Sequence, residues 1–177
     1  MIANGKDMEQ RAVEEVAALM CAAARTAPKA KGVDNLVTLV VTGEDKDRLA
    51  KEMRRVAEEH SIGFFARDAD CVDKSQAVVL LGQRPLPAYV PQCGYCGFAD
   101  CQENIKNTGV CAISMGDLGI AACSAAAVAA LHHIDNRIMF SIGRAALNLK
   151  LFDDDQVKEA YGIPLSVSGK SPFFDRK

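Results

Sequence analysis

The sequence predicts a single domain over residues 1–177 that mixes helices and strands, of the α/β or α+β class. Amphipathic segments at helical spacing alternate with a few short apolar, β-branched runs, and a length of 177 residues suits one domain. The hydrophobic fraction of 49% and charged fraction of 25% allow a real core. A formal net charge of -2 gives no indication of nucleic acid or an anionic membrane as partner.

The first half of the chain alternates helices with strands. Apolar residues at helical spacing predict a helix over 7–27, which Pro28 ends. The β-branched run 35–42 predicts a strand, and 45–60 predicts a second amphipathic helix with a solvated, charged face. Residues 62–66 are predicted to form a short strand.

The second half is organised around a strand, a loop and a long helix. The uniformly apolar run 77–81, closed by Gly82, predicts a central strand that is buried on both faces. The proline-containing segment 84–92 predicts a loop. Asp117 is expected to cap an alanine-rich helix that ends near His133. Two short helices are predicted over 142–151 and 154–161, and a last strand over 163–167.

Composition also bears on the compartment. The polar, charged start predicts that there is no signal peptide, and the longest weakly polar run, 119–131, is too short to span a bilayer. We therefore expect a soluble cytoplasmic protein.

The seven cysteines are an odd number, and clustered cysteines in a reducing compartment bind metal more often than they form disulfides.

Four cysteines fall in one glycine-rich segment with the spacing C-x2-C-x4-C-x9-C. They are Cys93, Cys96, Cys101 and Cys111. The two-residue spacing lets a tight turn aim two sulfurs at one point, and Gly94 and Gly97 permit the dihedral angles that such a turn needs. Their N–H groups also remain available to cluster sulfides. A short helix is predicted over 102–106. Because the segment interrupts a strand-to-helix connection, we interpret 84–115 as an insert.

Iron–sulfur and zinc are the two chemistries that this spacing allows. Thiolate-only sites suit both. A zinc knuckle has similar early spacing but usually includes a histidine among basic residues. Here Asp100 and Glu103 lie nearby, and Lys106 is the one cation between the first and last of the four cysteines. The pattern favours the cluster, with zinc as the alternative.

The three other cysteines are weaker candidates. Cys21 and Cys123 lie in predicted helices among alanines, where a small core residue is the expected role. Cys71 is ambiguous. Any of the three could replace Cys111 as the fourth ligand.

Several segments resemble known proteins. Residues 93–101 resemble the C-x-x-C-G-x-x-x-C segment of four-iron modules in corrinoid iron–sulfur proteins, although those modules usually place the fourth cysteine farther downstream than Cys111. Residues 24–30, followed by Asn35, resemble the early segment of nitroreductase-like flavoproteins, and 116–121 resemble the start of their central helix. Over nearly its whole length, including the tail 168–176, the chain is similar to a prokaryotic family described as containing a ferredoxin domain.

The resemblance implies an architecture and its cofactors. It implies an α+β fold with a nitroreductase-like sheet, packed helices and a small cysteine-rich, cluster-binding insert over 84–115. It further implies a homodimer and a [4Fe-4S] cluster. Nitroreductase-like proteins hold flavin mononucleotide (FMN) with basic and small residues near the first helix and near the chain's end. The matching candidates here are Arg25, Pro28, Lys29, Asn35 and Lys170.

The flavin candidates have an ordinary alternative interpretation. The Arg-x-Ser-x-Arg start of nitroreductase-like proteins is absent from this chain. Ordinary surface charge is therefore the favoured interpretation of Arg25 and Lys29, with flavin binding as the alternative. We expect an iron–sulfur protein that functions in electron transfer or redox chemistry. If it is an enzyme, we expect it to be a flavin-linked oxidoreductase. The alternatives are a non-enzymatic carrier or redox sensor and a zinc-stabilised binding module. The sequence identifies neither a redox partner nor catalytic residues.

Overall fold

A computed structural model describes residues 2–174 and has an α+β fold. The helices are α1 (Gly5–Thr26), α2 (Gly43–His60), α3 (Gly63–Asp73), α4 (Cys101–Lys106), α5 (Ala112–Leu131) and α6 (Phe140–Asn148). The strands are β1 (Leu36–Val41), β2 (Ala77–Gln83), β3 (Asp135–Asn136) and β4 (Glu159–Ser166). Asp175 and Arg176, at the end of the tail singled out in the sequence, lie outside the described residues.

The strands form one antiparallel sheet in the order β1-β2-β4-β3. β2 pairs along its whole length with β1 on one side and with β4 on the other. β3 pairs only with Leu165 and Ser166 at the end of β4, and one further bridge joins Met139 to Gly162. The first residues of β4 therefore lie at an edge that β3 does not cover.

The central strand separates two hydrophobic cores, as its sequence predicted. All residues of β2 are buried. Val78 and Leu80 belong to the core formed with α2, α3 and α6, whereas Val79 and Leu81 belong to the core formed with α1 and α5. This alternation follows from the period of two in a strand. The strand can be apolar throughout because helices cover both faces.

Two glycines bring α6 directly onto β4. A Cβ atom at Gly143 would lie 1.8 Å from the carbonyl oxygen of Ala160, and one at Gly162 would lie 2.1 Å from Cγ2 of Ile142. Real side chains cannot approach that closely, so both positions require glycine. The close contact fixes α6 over the first half of β4.

Two predicted elements were wrong. Residues 62–66 do not form a strand but lead into α3, because Phe65, Ala69 and Val72 continue at helical spacing and are all buried. Residues 154–161 do not form a helix. Asp154 instead makes a turn, accepting the N–H of Gln156 at 2.9 Å, and β4 then begins at Glu159. The two-residue strand β3 had no signal in the sequence.

The long alanine-rich helix was predicted, but its start was not. α5 begins six residues earlier than expected, with Cys111 rather than Asp117 as its N-cap. Asp117 therefore lies inside the helix, where both its carboxylate oxygens accept the N–H of Ala30, at 3.2 and 3.1 Å. This contact joins α5 to the segment that follows α1.

Helix α5 is both a core helix and an apolar one. Its 20 residues are long and apolar enough, by length and composition, to cross a membrane, and 39% of that stretch is buried within the protein. One face packs against α1 and the sheet through residues such as Leu118 and Ala125. The other face leaves Ile120 and Leu131 exposed.

Candidate functional site

The end of β2 and the start of α5 are joined by buried hydrogen bonds. The Gln83 side chain, 2% exposed, donates to Oγ of Ser114 at 2.8 Å, and that hydroxyl donates to the carbonyl of Arg84 at 3.0 Å. The N–H of Cys111 donates to the carbonyl of Pro85 at 3.3 Å. The chain between 84 and 111 thus leaves the core and returns to it at one place.

The first two cysteines flank a tight glycine turn. Gly94 has a φ of 60° and Gly97 a φ of 85°, both in the left-handed region that glycine tolerates best. The N–H of Gly97 donates to the carbonyl of Gly94 at 3.0 Å and closes the turn. The expected dihedral angles of these two glycines are confirmed, whereas the N–H of Gly97 is used within the turn and is not free for a cluster sulfide.

The third cysteine is fixed by the cap of a short helix. Cys101 is the first residue of α4, and Asp100 is its N-cap. Oδ1 of Asp100 accepts the N–H of Glu103 at 2.8 Å, while Oε2 of Glu103 accepts the N–H of Ala99 at 2.7 Å. These reciprocal bonds, close to a capping box, hold the backbone on both sides of Cys101. The predicted helix over 102–106 is confirmed.

Asn104 connects that helix to the fourth cysteine. Asn104 is 1% exposed, and its side-chain Nδ2 donates to the backbone carbonyl of Val110 at 3.2 Å. The backbone carbonyl of Asn104 accepts the N–H of Gly109 at 2.8 Å. A Cβ atom at Gly109 would lie 2.6 Å from both Asn104 Nδ2 and Phe98 Cε2. The chain therefore packs tightly against α4 just before Cys111. Oδ1 of Asn104 is buried and receives no hydrogen bond from the described residues.

All four cysteines line one cavity of about 310 Å³. Cys111 is buried, and the other three are half-buried. Ala88, Phe98 and Ile113 contribute apolar surface to the same cavity. Its volume lies at the lower end of the range for ligand sites, about 300–1,000 Å³. A donor set of four thiols around a cavity of this size fits an iron–sulfur cluster.

The electrostatic setting of the cavity favours an anion. Cys111 stands at the N-terminus of α5, a helix of 20 residues. The partial positive charge of a helix N-terminus favours a negatively charged ligand. The site can therefore stabilise the negative charge that four thiolates carry.

The four thiols are not arranged as a ready-made site for a single ion. Within residues 2–174, no three His, Cys, Asp or Glu side chains are close enough together to hold one metal ion. In a tetrahedral zinc site with Zn–S bonds of about 2.3 Å, the sulfurs are only roughly 3.8 Å apart. A four-iron cluster separates its ligands further, because each cysteine binds a different iron.

The three remaining cysteines lie outside this cavity. Cys21 is half-buried on α1, and burial raises the pKa of its thiol. Cys71 is buried on α3, where its Sγ is 3.6 Å from the carbonyl of Pro172 and burial again raises its pKa. Cys123 is exposed on α5, so the core position expected for it was wrong. The fold brings Cys111, and none of these three, to the other cysteines.

The basic flavin candidates already have partners within the protein. Nη1 of Arg25 donates to Oδ2 of Asp34 at 2.5 Å and to the carbonyl of Leu36 at 2.7 Å. Partial burial raises the pKa of Asp34, but hydrogen bonds from Arg25 and Leu36 outweigh it and leave that pKa below its ordinary value. The Lys29 ammonium donates to the carbonyls of Ala24, Arg25 and Ala27 and so caps the end of α1. Its side chain is 6% exposed, so Lys29 is not a solvated surface charge.

The other flavin candidates are dispersed. Pro28 is exposed after α1, and Asn35 is buried before β1, where its carbonyl accepts the N–H of Arg84 at 3.1 Å. Lys170 is exposed in the tail. Sequence reasoning missed Ser114 and Asn104, whose roles depend on contacts between distant segments.

Comparison with known sequences identifies relatives. A family model described as "Uncharacterized protein containing a ferredoxin domain" matches residues 107–176. That stretch contains Cys111 and begins after the other three cysteines of the cavity. An uncharacterized protein from Archaeoglobus fulgidus is 42% identical over 99% of this chain and 98% of its own length.

Comparison with solved structures identifies the fold as nitroreductase-like. The FMN-dependent nitroreductase NfnB from Mycobacterium smegmatis aligns with a TM-score of 0.58 and 15% identity, covering 88% of this chain and 78% of that one. A BluB-like flavoprotein from Clostridium difficile aligns with a TM-score of 0.58 and 20% identity, covering 87% and 80%. A nitroreductase with bound FMN from Desulfitobacterium hafniense aligns with a TM-score of 0.55 and 14% identity, covering 89% and 79%.

The packing around Asn104 generates a first prediction. Gly109→Ala should displace the loop before Cys111, because the added Cβ would clash with Asn104 and Phe98. In protein without metal, Cys111 should then react with a thiol reagent at least about tenfold faster, since labelling follows local opening. Mass spectrometry of labelled peptides measures this.

The matched control is Gly169→Ala, where no atom lies within 4 Å of the added Cβ. Exposed Cys123 provides an internal standard, and its labelling rate should be the same in all three proteins. Equal Cys111 rates in Gly109→Ala and the unaltered protein would show that this contact does not position the cysteine.

Proposed function

The chain belongs to the family described as containing a ferredoxin domain, and from that premise we propose that it binds one iron–sulfur cluster and works in electron transfer. The ligands are Cys93, Cys96, Cys101 and Cys111. The observation that carries the proposal is that these four thiols line a single cavity of about 310 Å³. A [4Fe-4S] cluster is the preferred type, because four cysteines support it and the four-iron modules that residues 93–101 resemble carry it, and it would supply one-electron chemistry when bound.

The residues around the cavity suit the control of a redox centre. The N–H of Gly94 can donate to a cluster sulfur, which stabilises the more negative state of the cluster. The N-terminus of α5 acts in the same direction through its partial charge. Phe98, Ala88 and Ile113 exclude water from part of the cavity, which strengthens both effects.

Zinc is the less favoured occupant. A structural zinc site needs its sulfurs gathered around one ion, and no three His, Cys, Asp or Glu side chains of residues 2–174 are arranged to hold one. The segment 84–115 then serves as the cluster-binding unit within one domain over 1–177. A reducing compartment such as the cytoplasm suits the seven free thiols.

A flavin-linked oxidoreductase is the second candidate function. It is favoured by the fold, because an aligned nitroreductase contains bound FMN. A flavin would collect two single electrons and deliver them as a hydride. The residues fit only in part, because Arg25 is held by Asp34 and Lys29 by the end of α1. A flavin phosphate would have to compete with Asp34 for Arg25, so the electron carrier or redox sensor is the better-supported function.

A homodimer through α5 completes the proposal. Nitroreductase-like proteins are commonly dimeric. The exposed side of α5 carries Ile120 and Leu131, which are 47% and 76% exposed. Between them lie small residues such as Ala127, which let two helices approach closely. Pairing two copies would cover this apolar face.

The ligand set is tested by single substitutions. Cys93→Ser, Cys96→Ser, Cys101→Ser and Cys111→Ser should each lower iron per chain to below about a third of the unaltered value, because an oxygen ligand binds the cluster weakly. Anaerobic purification followed by iron analysis measures this. Cys21→Ser and Cys123→Ser are the matched controls and should retain full iron. Full iron in Cys111→Ser, together with loss in Cys71→Ser or Cys123→Ser, would show that the fourth ligand is another cysteine.

The flavin proposal is tested by titrating FMN and following its fluorescence. If the Arg25 guanidinium binds the phosphate, Arg25→Ala should weaken binding about tenfold, the size of one charge-assisted hydrogen bond. Asp34→Asn should strengthen binding, because it releases Arg25 from its ion pair. If FMN does not bind at high micromolar concentration while the cluster is intact, the flavin-linked oxidoreductase is excluded and the electron carrier or redox sensor is the better function.

The dimer proposal is tested by light scattering. The measured mass should be twice the 19.0 kDa of the chain. Ile120→Glu should give a monomer because it places a charge on the apolar face of α5, whereas Val40→Glu, at an exposed apolar residue of β1, should not. A monomer at all concentrations of the unaltered protein would exclude this interface.

A further inference from the structure

A second cavity, of about 510 Å³, lies beside the first residues of β4. It is bounded by the first residues of β4 and by side chains of α2, α5 and α6. None of its lining residues belongs to the cysteine cavity. The volume falls within the range of small-molecule sites, about 300–1,000 Å³. Neither the family description nor the proposed cluster accounts for it.

The walls of this cavity are mainly apolar and partly aromatic. Phe65 and Phe140 line it, and their rings meet edge to face, with centroids 6.3 Å apart and planes at 81°. Met115, Leu118 and Leu147 complete the apolar surface. Aromatic rings prefer such edge and face contacts with another ring. The walls therefore favour a ligand with an aromatic body.

Glu159 lacks a hydrogen-bond donor at the polar side of the cavity. Its Oε2 is buried, and neither carboxylate oxygen receives a hydrogen bond within the described part of the chain. Burial raises the pKa of Glu159, although nearby Lys158 acts in the opposite direction. A buried acceptor without a donor is costly, and a ligand N–H or O–H would supply the missing bond.

Three basic side chains line the same cavity. His60 comes from the end of α2, Arg144 from α6, and Lys158 precedes β4. None of the three forms an ion pair with a carboxylate of the described residues. Tyr161 is the remaining titratable group on the wall. An anionic group on the ligand would find complementary charge here.

From these three features we propose that the second cavity binds a small aromatic carboxylate that carries a hydroxyl or amino group. The ring contacts Phe65 and Phe140, the hydroxyl or amino group donates to Glu159, and the carboxylate faces Arg144 and Lys158. This inference does not depend on the cluster. The two cavities are nevertheless close along α5, since Met115 follows Cys111 by one helical turn, about 6 Å along the axis.

The test is calorimetric titration of the full chain with three probes. 4-Hydroxybenzoate carries the ring, the donor and the anion, whereas benzoate lacks the donor and phenol lacks the anion. We expect 4-hydroxybenzoate to bind roughly tenfold more tightly than either, because each missing group leaves a protein group unpaired. Amide chemical shifts of Met115, Ala160 and Tyr161 should move on binding.

Substitutions test which protein side chain binds the hydroxyl group of the ligand and which binds its carboxylate. Glu159→Met keeps the side-chain length but removes the acceptor, so 4-hydroxybenzoate and benzoate should bind equally. Arg144→Gln should reduce the advantage of 4-hydroxybenzoate over phenol, and the double change Arg144→Gln with Lys158→Gln should abolish it. Lys51→Gln changes an exposed lysine of α2 outside the cavity and should leave all three affinities unchanged.

The result that overturns the proposal is measured on the unaltered protein, so it does not depend on how the variants fold. No binding of 4-hydroxybenzoate at millimolar concentration, or binding without shifts at Met115, Ala160 and Tyr161, would exclude this ligand class. Equal affinity for 4-hydroxybenzoate, benzoate and phenol would do the same. Iron content is measured separately, so loss of the cluster proposal leaves this result unaffected.

Discussion

The buried hydrogen bond from Gln83 to Ser114 is the constraint on which the cysteine site depends. It joins the last residue of the central strand to the first turn of the longest apolar helix, and both partners are almost fully buried. An amide left without a partner there would be costly, so the two elements must meet in this register. Residues 84–111 are thereby forced into a closed loop. A closed loop of that length brings four dispersed cysteines to one cavity.

Helix α5 extends this constraint to the rest of the molecule. Its N-cap is Cys111, its second turn contributes Met115 and Leu118 to the second cavity, and Asp117 holds the segment after α1. One helix therefore positions the proposed cluster ligand, the proposed ligand cavity and the flavin candidates relative to one another. Its exposed apolar face adds the proposed dimer contact.

Local chemistry was predictable from the sequence, and contacts between distant segments were not. The unbroken apolar run of β2 predicted a strand between two cores, and the spacing of the glycines predicted the cysteine turn. Asp117 was misassigned as a cap because aspartate is a preferred N-cap, whereas the true N-cap is a cysteine with no such preference. Residues 154–161 were misassigned because pairing with β2, far away in sequence, decides that β4 begins at Glu159. The role of Lys29 at the end of α1 was predictable from its position, since basic residues near the end of a helix often bind its last carbonyls.

The central claim is that four thiols hold an iron–sulfur cluster rather than a single ion. The most direct measurement is the content of iron, acid-labile sulfide and zinc in the unaltered protein, purified without exposure to air. The account predicts a brown protein with about four iron and four sulfide per chain and little zinc. Stoichiometric zinc without sulfide, in protein that has never met oxygen, would contradict it.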